Sequence, residues 1–186
     1  MSATDRFLST SSSWADFFNK TSALPASAPG PAPDKGKVFE RLTQLYLKTH
    51  PEYQTRLRTV WRAKDELPPA IRSRIGLPRT DEGIDLVAET FDGELWAIQC
   101  KFRTDTRQPL TVTDLATFAN LSFNVCKNIS LAIVAHTCAK PVRKAALLPR
   151  TTEIGLDRWL ELDAEDWQRI LVATTKSPPP PTLRDP

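Results

Sequence analysis

Apolar residues in the first half of the chain repeat at helical spacing. They run from Val38 to Tyr46, behind Asp34, whose side chain is well suited to cap a helix. Pro51 disfavours helical geometry in the residue before it, so this helix should end near His50. The pattern therefore predicts one amphipathic helix that packs its apolar stripe on the rest of the fold.

Extended patterns follow, separated by further helical ones. A hairpin signal, Asp92-Gly93, separates two of the extended segments. The basic, proline-interrupted stretch 64–81 is predicted to be loop or short helix. The predicted strands are 57–62, 84–91, 95–102, 129–135 and 159–162, and the predicted helices after the first are 114–123, 141–148 and 163–171, with Thr113 and Asp163 as N-caps. The resulting order, α-β-β-β-α-β-α-β-α, indicates an α/β fold with a central mixed sheet flanked by helices.

The length of the hairpin loop decides which side chains share a face of the sheet. A two-residue turn at Asp92-Gly93 would place Asp85 opposite Cys100. A three-residue loop that includes a left-handed Gly93 would place Asp85 opposite Gln99 instead. We predict the three-residue loop or a bulge, because only this register brings the polar residues together.

Proline-rich segments lie on both sides of this pattern. Residues 1–33 are predicted to be a tail or linker with a short helix around Trp14, and residues 177–186 a proline-rich spacer. A folded domain of residues 34–176 is expected between them.

Composition narrows the class of protein. The chain has 186 residues, of which 40% are hydrophobic and 25% charged, values typical of one soluble globular domain. No apolar stretch is long enough for a membrane helix and no signal-peptide pattern is present, so a cytoplasmic location with no membrane partner is expected. The three cysteines are widely spaced, which favours neither a disulfide framework nor a zinc site. A net charge of +3 permits a polyanionic partner without requiring one.

Polar residues at the end of an otherwise apolar strand are the main chemical signal. Gln99 and Lys101 project from one face of the strand, and the predicted register places Asp85 beside them. Mg²⁺, with Mn²⁺ as a substitute, prefers oxygen ligands such as these, and a nearby lysine can orient water or stabilise phosphate charge. We expect Asp85 to be the main metal ligand, Gln99 to add a neutral oxygen, and Lys101 to be the catalytic cation in phosphodiester hydrolysis.

The motif Gly83-Ile84-Asp85 followed by Ala97-Ile98-Gln99-Cys100-Lys101 resembles the core of PD-(D/E)xK nucleases in its QxK variant. It is most similar to the Mrr-like domains at the N-terminus of type ISP restriction–modification enzymes and related helicase fusions. Gly36-Lys37-Val38-Phe39-Glu40 resembles that family's GxxFE motif, which implies that Glu40 is a further catalytic and metal-binding residue. The resemblance implies a restriction-endonuclease-like fold and Mg²⁺-dependent cleavage of DNA. Two features depart from the family: Gln99 replaces the usual acidic residue, and no proline adjoins Asp85.

The same resemblance suggests the context of the domain. The segment 182–186 is similar to the lead-in to a helicase motor, so helicase and methyltransferase domains covalently fused to this one are expected partners. A double-strand cut needs two active sites, so dimerisation on DNA is a hypothesis. Expected contacts with DNA are made by cations and hydroxyls near the site: Lys37, Arg103, Arg107, Thr111 and Thr113.

Three other functions fit the same residues. Gln99 in place of a carboxylate would also suit a catalytically inactive DNA-binding module with the nuclease fold. A protein-docking domain would use Trp14 and its neighbours as a contact and would not depend on Lys101. A nuclease for RNA or for DNA junctions would use the same chemistry on another substrate.

Overall fold

The computed structural model describes residues 1–80, 83–142 and 149–175. Within them, five strands form one mixed sheet in the order β1-β2-β3-β4-β5. The first three strands are antiparallel neighbours, whereas β4 and β5 run parallel to β3. The strands are β1 (Leu57–Arg62), β2 (Leu86–Thr90), β3 (Leu95–Lys101), β4 (Ile129–His136) and β5 (Thr151–Ile154). This arrangement confirms the predicted α/β fold.

Helices cover both faces of the sheet. The first half of the chain contributes α1 (Ala3–Ser9), α2 (Trp14–Ser22), α3 (Lys35–Thr49), α4 (Pro51–Gln54) and α5 (Pro69–Ile75). The second half contributes α6 (Val112–Asn120), which continues into a π-helical turn (Leu121–Val125), and then α7 (Leu156–Leu160) and α8 (Ala164–Thr175). None of the helices that the structure describes is both long and apolar enough to cross a membrane.

The two faces of the sheet hold separate cores, because side chains alternate along each strand. On the α3 face, Trp96 and Ile98 pack with residues of α1, α2, α3, α7 and α8. On the opposite face, Val87 and Ala97 pack with residues of α5 and α6. Strand β3 lies in the middle of the sheet, so its C-terminal end is held by both layers.

Helix α3 forms as its sequence predicts. Asp34 is its N-cap, and the Asp34 side chain accepts a hydrogen bond from the backbone N–H of Lys37 at 2.9 Å. The helix ends at Thr49, directly before His50 and Pro51. Its apolar stripe is buried against the sheet, which fixes the position of every other residue on the helix.

The N-terminal segment differs from the tail that its composition predicts. Leu8, Trp14 and Phe17 are buried in the core on the α3 face, and the Trp14 ring stacks on Trp159 with 5.6 Å between centroids. Asp5 on α1 forms an ion pair of 2.7 Å with Arg41 on α3. Residues 1–33 therefore include two helices of the folded unit.

Two local predictions in the second half were wrong. Residues 159–162 were predicted to form the last strand, but residues 159 and 160 are the end of helix α7. Strand β5 forms the edge of the sheet instead. Trp159 is fully buried in the core on the α3 face, and its indole N–H donates to the carbonyl of His136 at 2.9 Å. The N-cap of α6 is Thr111 and not Thr113.

Two other predicted segments lie wholly or mostly outside the described residues. The predicted helix 141–148 lies mostly there, since residues 143–148 are not described. The same holds for the predicted spacer 177–186. Helix α8 does follow the predicted cap, because the Asp163 side chain accepts a hydrogen bond from the backbone N–H of Asp166 at 2.8 Å.

Candidate active site

The β2–β3 hairpin has the register that the sequence predicts. Leu86 pairs with Ile98 and Glu89 with Leu95, which leaves a three-residue loop after Thr90. Gly93 in this loop has φ +83°, the left-handed conformation that a side chain disfavours. Continued by one residue, this register places Asp85 opposite Gln99.

Hydrogen bonds from both neighbouring strands fix the position of Asp85. Its backbone N–H donates to the carbonyl of Ile98 at 2.9 Å, and its carbonyl accepts from the N–H of Ala63 at 2.9 Å. The Asp85 carboxylate accepts a hydrogen bond of 2.6 Å from the backbone N–H of Cys100. The carboxylate thus lies where the hydrogen bonds between β2 and β3 end, and it accepts the hydrogen bond of Cys100 in place of a backbone carbonyl.

Gln99 carries the clearest sign of an incomplete site. The side chain is only 3% exposed, yet its Oε1 atom is buried without a hydrogen-bond partner in the described structure. Leaving a buried amide oxygen unpaired costs about 1–3 kcal/mol. Such an atom is expected where a cation or another donor completes the site.

Lys101 is two residues further along the same strand. It is half-buried, and its ammonium group forms no ion pair within the part of the chain that the structure describes. The pKa of Asp114, near the start of α6, is raised by burial but lowered overall by hydrogen bonds with Thr111, and the charges of Arg103 and Lys101 add to the lowering. The ammonium group is therefore a cation that remains available at the end of β3.

Glu40 approaches from α3. Burial raises the pKa of its carboxyl group, the charges of Asp85 and Asp34 add to this shift, and a smaller effect of Arg62 opposes it; together they bring the pKa to about 8. The Glu40 carboxylate folds back toward the start of the helix, since a Cβ added at Gly36 would lie 3.9 Å from Glu40 Oε1. The charge of Asp85 thus acts on Glu40, and these are the two carboxylates that the sequence predicts as metal ligands.

These groups form an oxygen-rich but small set. Within residues 1–80, 83–142 and 149–175, no group of three or more His, Cys, Asp or Glu side chains is arranged to hold a metal ion. The candidate ligands are two carboxylates and one amide oxygen. The Cys100 thiol lies near them, but burial and the charges of Asp85 and Glu40 raise its pKa well above its ordinary value, so it remains protonated.

The predicted DNA-contacting cations mostly have partners within the protein. The Lys37 ammonium donates to the carbonyls of Ala28, Gly30 and Ala32 at 2.6, 3.0 and 3.1 Å, and it pairs with Asp34 at 3.1 Å. The structure therefore gives Lys37 a structural role, in which it holds the loop before α3. Its contact with DNA remains a prediction.

Arg103 and Arg107 follow β3 and also pair internally. Arg103 forms an ion pair with Asp114, whereas Arg107 pairs with Asp105 at 2.8 Å in a fully exposed position. Both guanidinium groups remain on the surface, where exposed ion pairs contribute little and exchange readily for other anions.

Thr111 and Thr113 begin α6. The Thr111 hydroxyl accepts a hydrogen bond from the Asp114 N–H at 3.3 Å, and the Asp114 carboxylate accepts one from the Thr111 N–H at 2.8 Å. Thr113 is exposed in the first turn. The contacts of these two threonines with DNA remain predictions, and Thr111 also caps helix α6.

The sequence alone did not predict the importance of Thr137. Its hydroxyl accepts from the N–H of Arg103 at 2.7 Å and donates to the Arg103 carbonyl at 2.8 Å, so it locks the segment that leaves β3. The only available signal was its position directly after the buried strand β4, parallel to β3, because the C-terminal ends of parallel strands meet at one edge.

Comparisons with known proteins identify the group to which the chain belongs. The family model Mrr_cat_2, described as Restriction endonuclease, matches residues 48–177. Among solved structures, the ATP-dependent Type ISP restriction-modification enzyme LlaBIII bound to DNA is similar, with a TM-score of 0.57 and 22% sequence identity. The similarity covers 82% of this chain and 9% of that chain. No curated protein sequence matches the chain.

The family match covers all five strands of the sheet, together with Asp85, Gln99 and Lys101, and the structural similarity shows the same fold. Glu40 lies before the matched residues, so its role as a metal ligand remains a prediction. The five-stranded mixed sheet, its hairpin and its flanking helices agree with both comparisons, and the chain belongs to the Mrr-like family of restriction endonucleases.

Proposed function

We propose that the chain is a divalent-metal-dependent endonuclease domain that hydrolyses phosphodiester bonds of DNA in a restriction system. The observation that carries this proposal is the buried, unpaired Oε1 atom of Gln99, opposite Asp85 in the hairpin. A buried acceptor requires a partner, and the carboxylate of Asp85, opposite Gln99 in the register, makes a cation a suitable one.

The residues present fit Mg²⁺, or Mn²⁺ in its place. Asp85 and Glu40 would hold the ion, and Gln99 would complete the set with a neutral oxygen, a hard-ligand combination typical of Mg²⁺. The raised pKa of Glu40 supports this assignment, because it reflects a buried carboxyl group whose neighbours are mainly other carboxylates. When bound, the ion supplies Lewis-acid chemistry: it activates a water molecule and offsets charge on the phosphate.

The protein's own groups provide orientation and charge. The Cys100 N–H holds the Asp85 carboxylate at 2.6 Å, which fixes one ligand before any substrate arrives. Lys101 would orient the attacking water or stabilise the negative charge that develops on the scissile phosphate. Its ammonium group is suited to this role because it is half-buried at the end of β3 and forms no ion pair with the residues that the structure describes.

DNA is the proposed substrate. The similar solved structure is a DNA-bound restriction–modification enzyme, and the family is one of restriction endonucleases. Since this chain spans 9% of that enzyme's chain, we propose that it acts beside covalently fused helicase and methyltransferase domains. Double-strand cleavage would then require two copies to meet on DNA, and analytical ultracentrifugation with and without DNA tests this requirement.

Cleavage of matched DNA and RNA duplexes in Mg²⁺ tests the proposal. The chain should cut DNA, Asp85→Asn should not, and EDTA should abolish the activity of the parent. Binding of DNA with no cleavage at any Mg²⁺ or Mn²⁺ concentration would favour the inactive DNA-binding module, for which Gln99 in place of a carboxylate is the specific observation.

A further inference from the structure

One arginine joins two loops next to the candidate site. The guanidinium group of Arg72, on α5, donates to the carbonyl of Ala63 and, at 2.9 Å, to the carbonyl of Pro78. Ala63 directly follows strand β1, and Pro78 lies in the loop that leads toward Asp85. Arg72 therefore holds the two loops side by side.

The loop at Ala63 is also tied to the site-bearing end of the sheet. The N–H of Ala63 donates to the carbonyl of Asp85 at 2.9 Å. The turn after Ala63 is closed by Glu66, whose N–H donates to the Arg62 carbonyl at 3.0 Å and whose carboxylate accepts from the Arg62 N–H at 3.0 Å. The backbone around Ala63 is therefore fixed relative to the candidate metal ligands.

A cation follows each of the two carbonyls that Arg72 holds. These residues, Lys64 and Arg79, are exposed, and neither forms an ion pair with any residue that the structure describes. Because Arg72 holds the carbonyls of the residues before them, Lys64 and Arg79 leave the backbone at neighbouring positions. Among the residues that the structure describes, neither cation has an ionic partner, and Ala63, which precedes Lys64, is hydrogen-bonded to Asp85.

Other cations in the first half of the chain have internal partners or lie elsewhere. Arg62 pairs with Glu66 at 3.0 Å and with Asp65 at 3.1 Å, and Lys37 is held by carbonyls before α3. Arg58 and Arg74 donate to the carbonyls of Phe91 and Gly93, in the hairpin loop at the opposite end of β3. Lys64 and Arg79 thus differ from these basic neighbours in their position and in having no ionic partner among the described residues.

We propose that Lys64 and Arg79 together bind the phosphate backbone of duplex DNA beside the scissile bond. This inference rests on the proposed nuclease function and adds the residues that seat its substrate. Lysine and arginine side chains that contact phosphate release counterions, and each such contact contributes about 0.9 to the slope of log affinity against log salt concentration. Two such contacts would therefore leave a measurable signature in DNA binding.

Fluorescence anisotropy of a labelled DNA duplex, titrated with the 186-residue chain in EDTA at several salt concentrations, tests the proposal. The double variant Lys64→Ala/Arg79→Ala should bind about tenfold or more weakly near 0.1 M salt, and its salt slope should be smaller by roughly 2. The matched control, Arg58→Ala/Lys127→Ala, removes the same charge from exposed residues at the far end of the sheet and should keep the parent slope. A charge-preserving swap, Lys64→Arg/Arg79→Lys, should also keep it.

The outcomes separate this inference from the proposed function. A parent chain that binds and cuts DNA, with equal slopes in both double variants, would overturn the assignment of Lys64 and Arg79 and leave the nuclease proposal standing. A parent chain without salt-dependent DNA binding would overturn both. Circular dichroism spectra and thermal transitions of the variants exclude a loss of folding as the cause of a smaller slope.

Discussion

Replacing Gln99 with leucine should stabilise the metal-free protein and reduce the stabilisation that Mg²⁺ gives. Gln99 is 3% exposed and its Oε1 is unpaired, so the metal-free protein bears a cost of about 1–3 kcal/mol for that buried oxygen. Leucine has a similar shape and no such group. Gln99→Leu should therefore stabilise the metal-free protein by about 1 kcal/mol, which corresponds to roughly 2–4 °C in Tm for a chain of this size.

The same substitution should remove much of the stabilisation that Mg²⁺ gives. A ligand present at ten times its Kd stabilises the folded state by about 1.4 kcal/mol, so the parent chain should gain several degrees in Mg²⁺ and Gln99→Leu clearly less. Differential scanning calorimetry in EDTA and in Mg²⁺ measures both effects. Gln99→Glu is the matched control: a further carboxylate beside Asp85 should lower Tm in EDTA and increase the gain in Mg²⁺. The reasoning fails if Gln99→Leu is strongly destabilised in EDTA or gains as much from Mg²⁺ as the parent.

Three further predictions test separate parts of the structure. The pKa of Glu40 is raised from 4.5 to about 8, so between these pH values the folded metal-free protein holds a proton that the unfolded chain releases. The stability of the metal-free protein should therefore fall as pH rises through this range. Glu40→Gln should flatten this part of the profile of Tm against pH, measured in EDTA. Trp14→Ala should cost about 3–5 kcal/mol in urea denaturation, since the ring is buried against Trp159, whereas exposed Val172→Ala should cost little. Gly93→Ala should cost about 1–2 kcal/mol because φ is +83°, and a cost no larger than that of Ala at neighbouring Asp92 would contradict the left-handed loop.

Local signals predicted the hairpin register at the centre of the candidate site. Strand periodicity placed Gln99 and Lys101 on one face, and the need of Gly93 for a left-handed conformation set the loop length that brings Asp85 opposite Gln99. The cap at Asp34 and the proline after His50 likewise fixed the ends of α3, and with them the position of Glu40.

Features that depend on distant contacts were not predictable. Trp14 and Phe17 follow ordinary helical spacing, and the proline-rich segment after them suggested a detached tail. Their burial depends on partners more than a hundred residues away, such as the stack on Trp159 and the Trp167 indole that donates to the Ser11 carbonyl at 2.8 Å. The run 159–162 was equally ambiguous, because four residues with apolar alternation fit a strand or a helix end.

The roles of individual cations also required the structure. The sequence shows only that the first half of the chain is basic. Whether a cation is free depends on the carbonyls and carboxylates that surround it, as the partners of Lys37 and Arg72 show. Lys64 and Arg79 differ from them in their surroundings and not in their sequence pattern.

Plasmid nicking by the purified chain tests the central claim most directly. The parent should convert supercoiled plasmid to nicked or linear DNA in Mg²⁺ or Mn²⁺ and not in EDTA. Asp85→Ala and Lys101→Ala should both abolish cleavage, with unchanged circular dichroism, while Lys127→Ala, which lies away from the site, should cut normally. Cleavage that persists in Asp85→Ala and Lys101→Ala would contradict the account.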